Sequence, residues 1–178
     1  MLPEIPNLTG KLLLAHPNLH DPNFRRSIIY LARHDTISGA FGFIINRPTA
    51  QTFAELDLSG ISPLFGDTPL YLGGPVSGDS VILVQMEWDS FLKKLAIDYT
   101  NDPDVADPSR SIALVGYAGW SEGQLEREIS EGSWLILDPD DTGHLMIDAD
   151  ASTWKTLVAQ IHPDLKLLAE MPDDPSLN

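Results

Sequence analysis

A chain of 178 residues with 11 basic and 26 acidic side chains, formally −15, has room for one ordinary domain with a sizeable core. Its 43% hydrophobic content argues against intrinsic disorder, and the lack of cysteine excludes thiol catalysis, disulfides, iron–sulfur clusters and thiolate zinc sites. The acidity disfavours a broad basic footprint for nucleic acid or an anionic membrane.

The opening MLPEIPNLTG has no basic stretch of the kind a signal peptide carries, and no apolar run approaches bilayer length, so a cytoplasmic protein is expected. Lys11–His16 reads as a buried strand, and Pro17–Asn23 as a loop. Ser27–Leu31 and Gly42–Asn46 read as a hairpin turning at Ser38-Gly39, with Pro48 ending it. Thr52–Leu58 reads as a short helix with Thr52 and Glu55 as a capping box. Leu70–Leu72 and Val81–Gln85 are strands around a turn at Gly73–Asp79. Residues 91–99 fit helix or strand, and 101–109 are loop-like. Ile112–Tyr117 reads as a strand, followed by a helix over Ser121–Glu131 that stops at Gly132. Trp134–Leu137 is a strand that Leu145–Ile147 resumes, and a last helix runs through Trp154–Ile161. With hairpins early and helices late, 1–178 is expected to form a single α+β domain around a mixed, twisted sheet with flanking helices.

Charge is uneven. Residues 1–90 carry 5 basic and 9 acidic groups, a net −4, whereas 91–178 carry 6 and 17, a net −11. Arg25, Arg26, Arg33 and Arg47 form a basic island with Asp35 as the acid among them.

Familiar catalytic signatures fail. Thr9-Gly10-Lys11-Leu12 has Ile5 and Leu12 where a phosphate-binding loop needs glycine and a hydroxyl. No nucleophile elbow, dinucleotide fingerprint or H-E-x-x-H pattern occurs. His16, His20, Asp21 and His34 have spacing suited to metal ligands, but they fall on unrelated elements, so no metal and no cofactor is expected. The acidic run Asp138–Asp141 reads as a solvated turn.

Three segments place special backbone beside functional side chains. Asn46-Arg47-Pro48 ends a strand with an amide and a guanidinium; Gly73-Gly74-Pro75-Val76 allows close backbone approach; Gly116-Tyr117-Ala118-Gly119-Trp120 reads as a glycine-rich turn into a helix. One reading is a shared cleft in which Arg25, Arg26, Asn46, Arg47, Gly73, Gly74 and Trp120 engage a small anion or an acidic protein segment. The competing reading is that the glycines make turns, Trp120 packs in the core and the arginines pair with surplus carboxylates. A third possibility is an enzyme using His34, Asn46, Arg47 and Tyr117, with His34 as general base. For His34 itself, a structural role at the turn before Asp35 stands against that one.

The stretches GKLLLAHPNLHDPNFRRSIIYLARHD (10–35), GAFGFIINRPT (39–49), LGGPVSGD (72–79) and GYAGWSEGQLEREISEGSWL (116–135) resemble the YqgE/AlgH family of bacterial proteins. Gln85 stands where that family is expected to have histidine, Ser121-Glu122 replaces a small pair, and 86–110 has its own sequence. The resemblance implies a compact mixed α/β domain with a partly barrel-like sheet, a strand at 95–99 and a cytosolic protein. The family's name also carries an association with transcriptional control of alginate synthesis. Direct DNA binding is opposed by the charge and by the lack of a basic helix-turn-helix pattern.

Overall fold

In the computed structural model, which describes residues 6–56, 63–140 and 142–172, the apolar run Leu12–Ala15 (β1) is buried along its whole length. A strand buried on both faces needs a partner on each edge. β1 has Ile28–Asp35 (β2) on one side and Trp134–Leu137 (β9) on the other, both antiparallel. β2 turns through residues 36–38 into Gly39–Ile44 (β3), so the expected hairpin forms, with both strands longer or shifted from their expected bounds.

Proline at 48 does not end the sheet. It opens Pro48–Thr52 (β4), which lies at the edge of the sheet and pairs with Pro69–Leu72 (β5). An edge is where a residue without an amide is tolerated. The expected helix at 52–58 is a single 3₁₀ turn, Phe53–Glu55, although Glu55 accepts the Thr52 N–H as a capping box requires (2.8 Å). Residues 57 and 58 lie outside the described residues.

The turn at 73–79 is shorter than expected. Val76–Asp89 (β6) is one long strand with a register shift between Val76 and Val81, and it pairs with Lys94–Thr100 (β7). Residues 94–100 are therefore strand, which resolves the ambiguity of 91–99.

Ser111–Trp120 (β8) organises the sheet. Its first half lies between β5, which is parallel to it, and β6, and its end pairs with β3. The glycine-rich turn expected at 116–120 is thus strand. Gly73 and Gly74 cross this strand so closely that a Cβ on Gly74 would overlap the Tyr117 carbonyl, and one on Gly116 the Gly74 carbonyl. Both Gly74 (φ +154°) and Gly116 (φ +71°) lie where side chains are disfavoured. The strand order is β4-β5-β8-β3-β2-β1-β9, with β6 and β7 off the other edge of β8.

The helix after β8 starts later than expected, at Gln124–Ser130 (α1), behind Gly123 at the N-cap; Gly132 follows its end at φ +77°, as expected. Residues 143–145 form a 3₁₀ turn rather than a resumed strand. Here Gly143 lies directly against the Trp88 ring and Leu95. Ala151–Ile161 (α2), capped by Asp150, is the expected last helix, and Lys166–Glu170 (α3) was not foreseen.

The result is an α+β domain with a curled, half-barrel mixed sheet and three helices among the described residues. Its inner face contributes Leu12, Leu14, Ile28, Phe43, Ile82, Val84 and Leu114 to one core closed by Trp154, Leu157 and Val158 of α2. Its outer face buries Leu13, Ile29, Leu31, Ile44, Trp120 and Trp134 beneath Leu125 of α1. Each such side chain contributes about 1.5–3 kcal/mol. Exposed ion pairs such as Lys11–Asp138 add at most about 1 kcal/mol, so burial dominates. No helix among the described residues is long and apolar enough to cross a membrane.

Candidate functional site

The residues singled out by sequence do not share one cleft. They fall into three groups.

The first surrounds the loop between β1 and β2. Asn46 is buried, and its amide is fully committed. Oδ1 accepts the Ile28 N–H (2.8 Å), while Nδ2 donates to the carbonyls of Arg26 (3.0 Å) and Asp150 (3.3 Å). Arg47 is half-buried and donates to the carbonyls of Asn23 (2.6 Å) and Arg25 (3.0 Å). Burial and then the charge of Arg25 disfavour its cationic form, while Asp21 favours it. The expectation of arginine–carboxylate pairing therefore fails at Arg47, whose hydrogen bonds go to backbone carbonyls and brace the loop.

Arg26 sits at φ +55°, donates to the Met171 carbonyl after α3, and holds its guanidinium carbon 5.6 Å from the Trp154 ring centre. Non-glycine residues in this region are uncommon and require support from their surroundings. Beside it, His20, Arg25 and Arg26 line a cavity of about 210 Å³ with Leu19, Leu168 and Met171.

The second group lies beneath α1. Trp120 packs in the outer core with Phe24 and Trp134, and both indole N–H groups donate to Oε2 of Glu128 (2.9 and 2.8 Å). Gln124 donates to the other oxygen of Glu128 (2.9 Å) and accepts the Ser121 N–H (3.0 Å). His34 is buried; its Nδ1 accepts the Leu8 N–H (3.0 Å), which places the ring proton on Nε2, 2.9 Å from Oε1 of Glu126. Both ring nitrogens are engaged, as a structural histidine requires. His16 lies apart from this network, and burial, then the charge of His162, lowers its pKa. The metal-type side chains noted in the sequence are correspondingly dispersed, and no group of three or more gathers among the described residues.

The third place is the far end of β8. There Tyr117 packs against Phe41, with ring centres 5.0 Å apart, at the lip of a separate cavity. Gly73 and Gly74 serve the backbone crossing with β8 and reach neither cavity's lining.

Sequence reading missed Glu126 and Glu128. The available signal was two tryptophans, at 120 and 134, flanking a short amphipathic helix that carries carboxylates at 126 and 128. It also missed Phe41 and Tyr99, which lie on strands that do not pair and meet where the sheet curls, ring centres 6.4 Å apart.

The chain as a whole is similar to known proteins. A profile described as AlgH-like, DUF179, matches residues 12–166. The chain belongs to the AlgH-like family. It is 33% identical to a UPF0301 protein of Streptomyces coelicolor, with 98% of this chain and 97% of that one covered. With a UPF0301 protein of Ralstonia nicotianae it shares 37% identity over 78% of this chain and 80% of the other. The solution structure of the AlgH protein from Pseudomonas aeruginosa superposes with a TM-score of 0.65 at 30% identity, covering 97% of this chain and 98% of the other. A crystal structure from Corynebacterium diphtheriae, at 24% identity and a TM-score of 0.66, shares the fold. The half-barrel is thus the family's architecture.

Proposed function

We propose that this AlgH-like chain is a non-catalytic binding and regulatory module of the cytoplasm, whose loop face receives a small anion or an acidic segment of a partner protein. The observation that carries this reading is the cavity lined by His20, Arg25 and Arg26 on a loop that Arg47 braces from behind. Guanidinium groups in a half-enclosed site focus an anion even on an acidic protein, while the overall charge repels polyanions. Arg26 adds a left-handed backbone fixed at both ends of its side chain, the kind of strain that persists where geometry is over-determined.

The enzyme reading is less well supported. His34 lies apart from Asn46 and Arg47, and each of the three is committed to holding backbone or a neighbouring helix. Direct DNA regulation predicts salt-sensitive DNA binding, and a mobility shift that stays blank at low salt removes it.

Thermal-shift and calorimetric titration with inorganic pyrophosphate and with a short glutamate-rich peptide, at matched ionic strength, tests the module. Stabilisation by one of them, weakened at least about tenfold by Arg25→Gln, is the expected result. No stabilisation, or equal stabilisation of wild type and variant, overturns it.

A further inference from the structure

The cavity at Tyr117 shares no lining residue with the one at the arginine loop. It measures about 390 Å³, within the range of small-molecule sites, and is lined by Phe41, Ile82, Tyr99 and Tyr117 with Ser80, Thr100 and Asn101 around them. Four strands build it: β3 supplies Phe41, β6 Ser80 and Ile82, β7 Tyr99 and β8 Tyr117. Phe41 stands between the two tyrosines, its ring centre 5.0 Å from that of Tyr117 and 6.4 Å from that of Tyr99, with planes inclined at 53° and 45°. The rings therefore diverge as walls instead of stacking shut.

The floor beneath them is rigid. Phe43 is fully buried and touches Phe41 and Tyr99 edge-on, with ring centres 5.7 and 5.3 Å apart. Gly119, paired with Phe41 across the strands, carries no side chain that would cover the Tyr117 ring; a Cβ there would sit 3.5 Å from it. Tyr99 remains 45% exposed, so part of its ring is open to solvent at this mouth.

Exposed carboxylates, Asp79 and Asp98, adjoin two of the lining residues along the chain. Asp98 adjoins Tyr99 on β7, and the nearby Tyr30 phenol is pushed up by burial first, then by Tyr99 and Asp98. Ser80 follows Asp79 on the opposite strand. Aromatic faces beside carboxylates attract cations, best when the cation is weakly hydrated.

We infer that Phe41, Tyr99 and Tyr117 form an aromatic cage that binds an organic ammonium ion. The ring faces supply the attraction, the exposed Asp98 and Asp79 steer the cation in, and the buried Phe43 keeps the walls apart. The site is independent of the anion reading at the arginine loop, and each can fail alone.

Titration of the isotope-labelled protein with choline, its neutral isostere 3,3-dimethyl-1-butanol and Nα-acetyl-lysine amide tests this by NMR. The expected result is saturable shifts centred on Phe41, Tyr99 and Tyr117, with choline or the lysine derivative binding at least about tenfold more tightly than the neutral alcohol. Whichever cation binds more tightly identifies a free quaternary ammonium or a protein side chain as the source. Tyr117→Leu preserves apolar volume and is expected to lose that tenfold preference. Gly119→Leu, which covers the ring from an exposed strand position, provides a second block should Tyr117→Leu disturb the fold. Equal affinity for choline and its neutral isostere, shifts centred elsewhere, or no shifts at millimolar probe overturns the cage.

Discussion

The two faces of the curled sheet are buried by different means. On the inner face, α2 lays Trp154, Leu157 and Val158 on aliphatic residues from most of the strands, and Trp154 Nε1 donates to the Ala15 carbonyl (2.9 Å). On the outer face, α1 is only seven residues long and brings carboxylates with it. Glu128 accepts from two indoles, and Glu126 accepts from His34. A long amphipathic helix closes a core by area. A short one has too little area and is held in register by charge-assisted hydrogen bonds. Residues that look functional in the outer-face motifs are thereby spent on placing α1.

The largest effect should come from the inner face. Trp154→Ala empties the centre of that core, leaves the Ala15 carbonyl without its donor and removes the ring beneath Arg26, so a loss of about 4 kcal/mol is expected in urea unfolding. A loss below about 1 kcal/mol would mean that α2 does not close the core, and the contrast between faces would collapse.

Next comes the outer face. Glu128→Leu keeps apolar bulk but leaves two buried indole N–H groups unpaired, with an expected cost of about 3 kcal/mol. Glu128→Gln retains one acceptor oxygen and should recover about half of it. If the leucine variant is neutral, the outer face packs by area as the inner one does. The His34–Glu126 pair sharpens the point at smaller scale. A double-mutant cycle with His34→Ala and Glu126→Ala is expected to give a coupling of about 1–2 kcal/mol, and a coupling near zero would show that the two residues act separately.

Much of the fold was legible in the sequence, though not the contrast between its faces, and the failures have physical causes. The strands at 12–15 and 134–137 and the helix through 154–161 follow from apolar runs, turn residues and spacing, which are local. Gly116–Trp120 was misread as a turn because its glycines answer to a distant backbone, that of Gly73-Gly74, and to pairing with β3. Pro48 was misread as a stop because only the sheet order reveals that β4 is an edge. At the arginine island the composition was readable, but the partner of Arg47 was not. Carbonyl groups of a loop leave no mark in the sequence, whereas a surplus of carboxylates invites the wrong pairing.

The smallest effect concerns how α2 is set on the inner face. Asp150 caps it by accepting the Ser152 and Thr153 N–H groups (2.8 and 3.3 Å), and the Ser152 hydroxyl adds a third bond (2.7 Å). The Ser152 side chain and backbone bonds hold its carboxyl below the usual carboxylate range. A depressed folded-state pKa stabilises the fold when the carboxyl is ionised, so the contribution is complete above the unfolded value of about 3.9. It disappears as pH falls through the lower, folded value. Asp150→Ala is therefore expected to cost about 1 kcal/mol at pH 7 and to flatten the acid limb of the stability curve. Asp150→Asn, still an acceptor, should flatten the same limb at a smaller cost at neutral pH. A wild-type acid limb unchanged in both variants would assign the pH dependence to other carboxylates and leave α2 held by its apolar face alone.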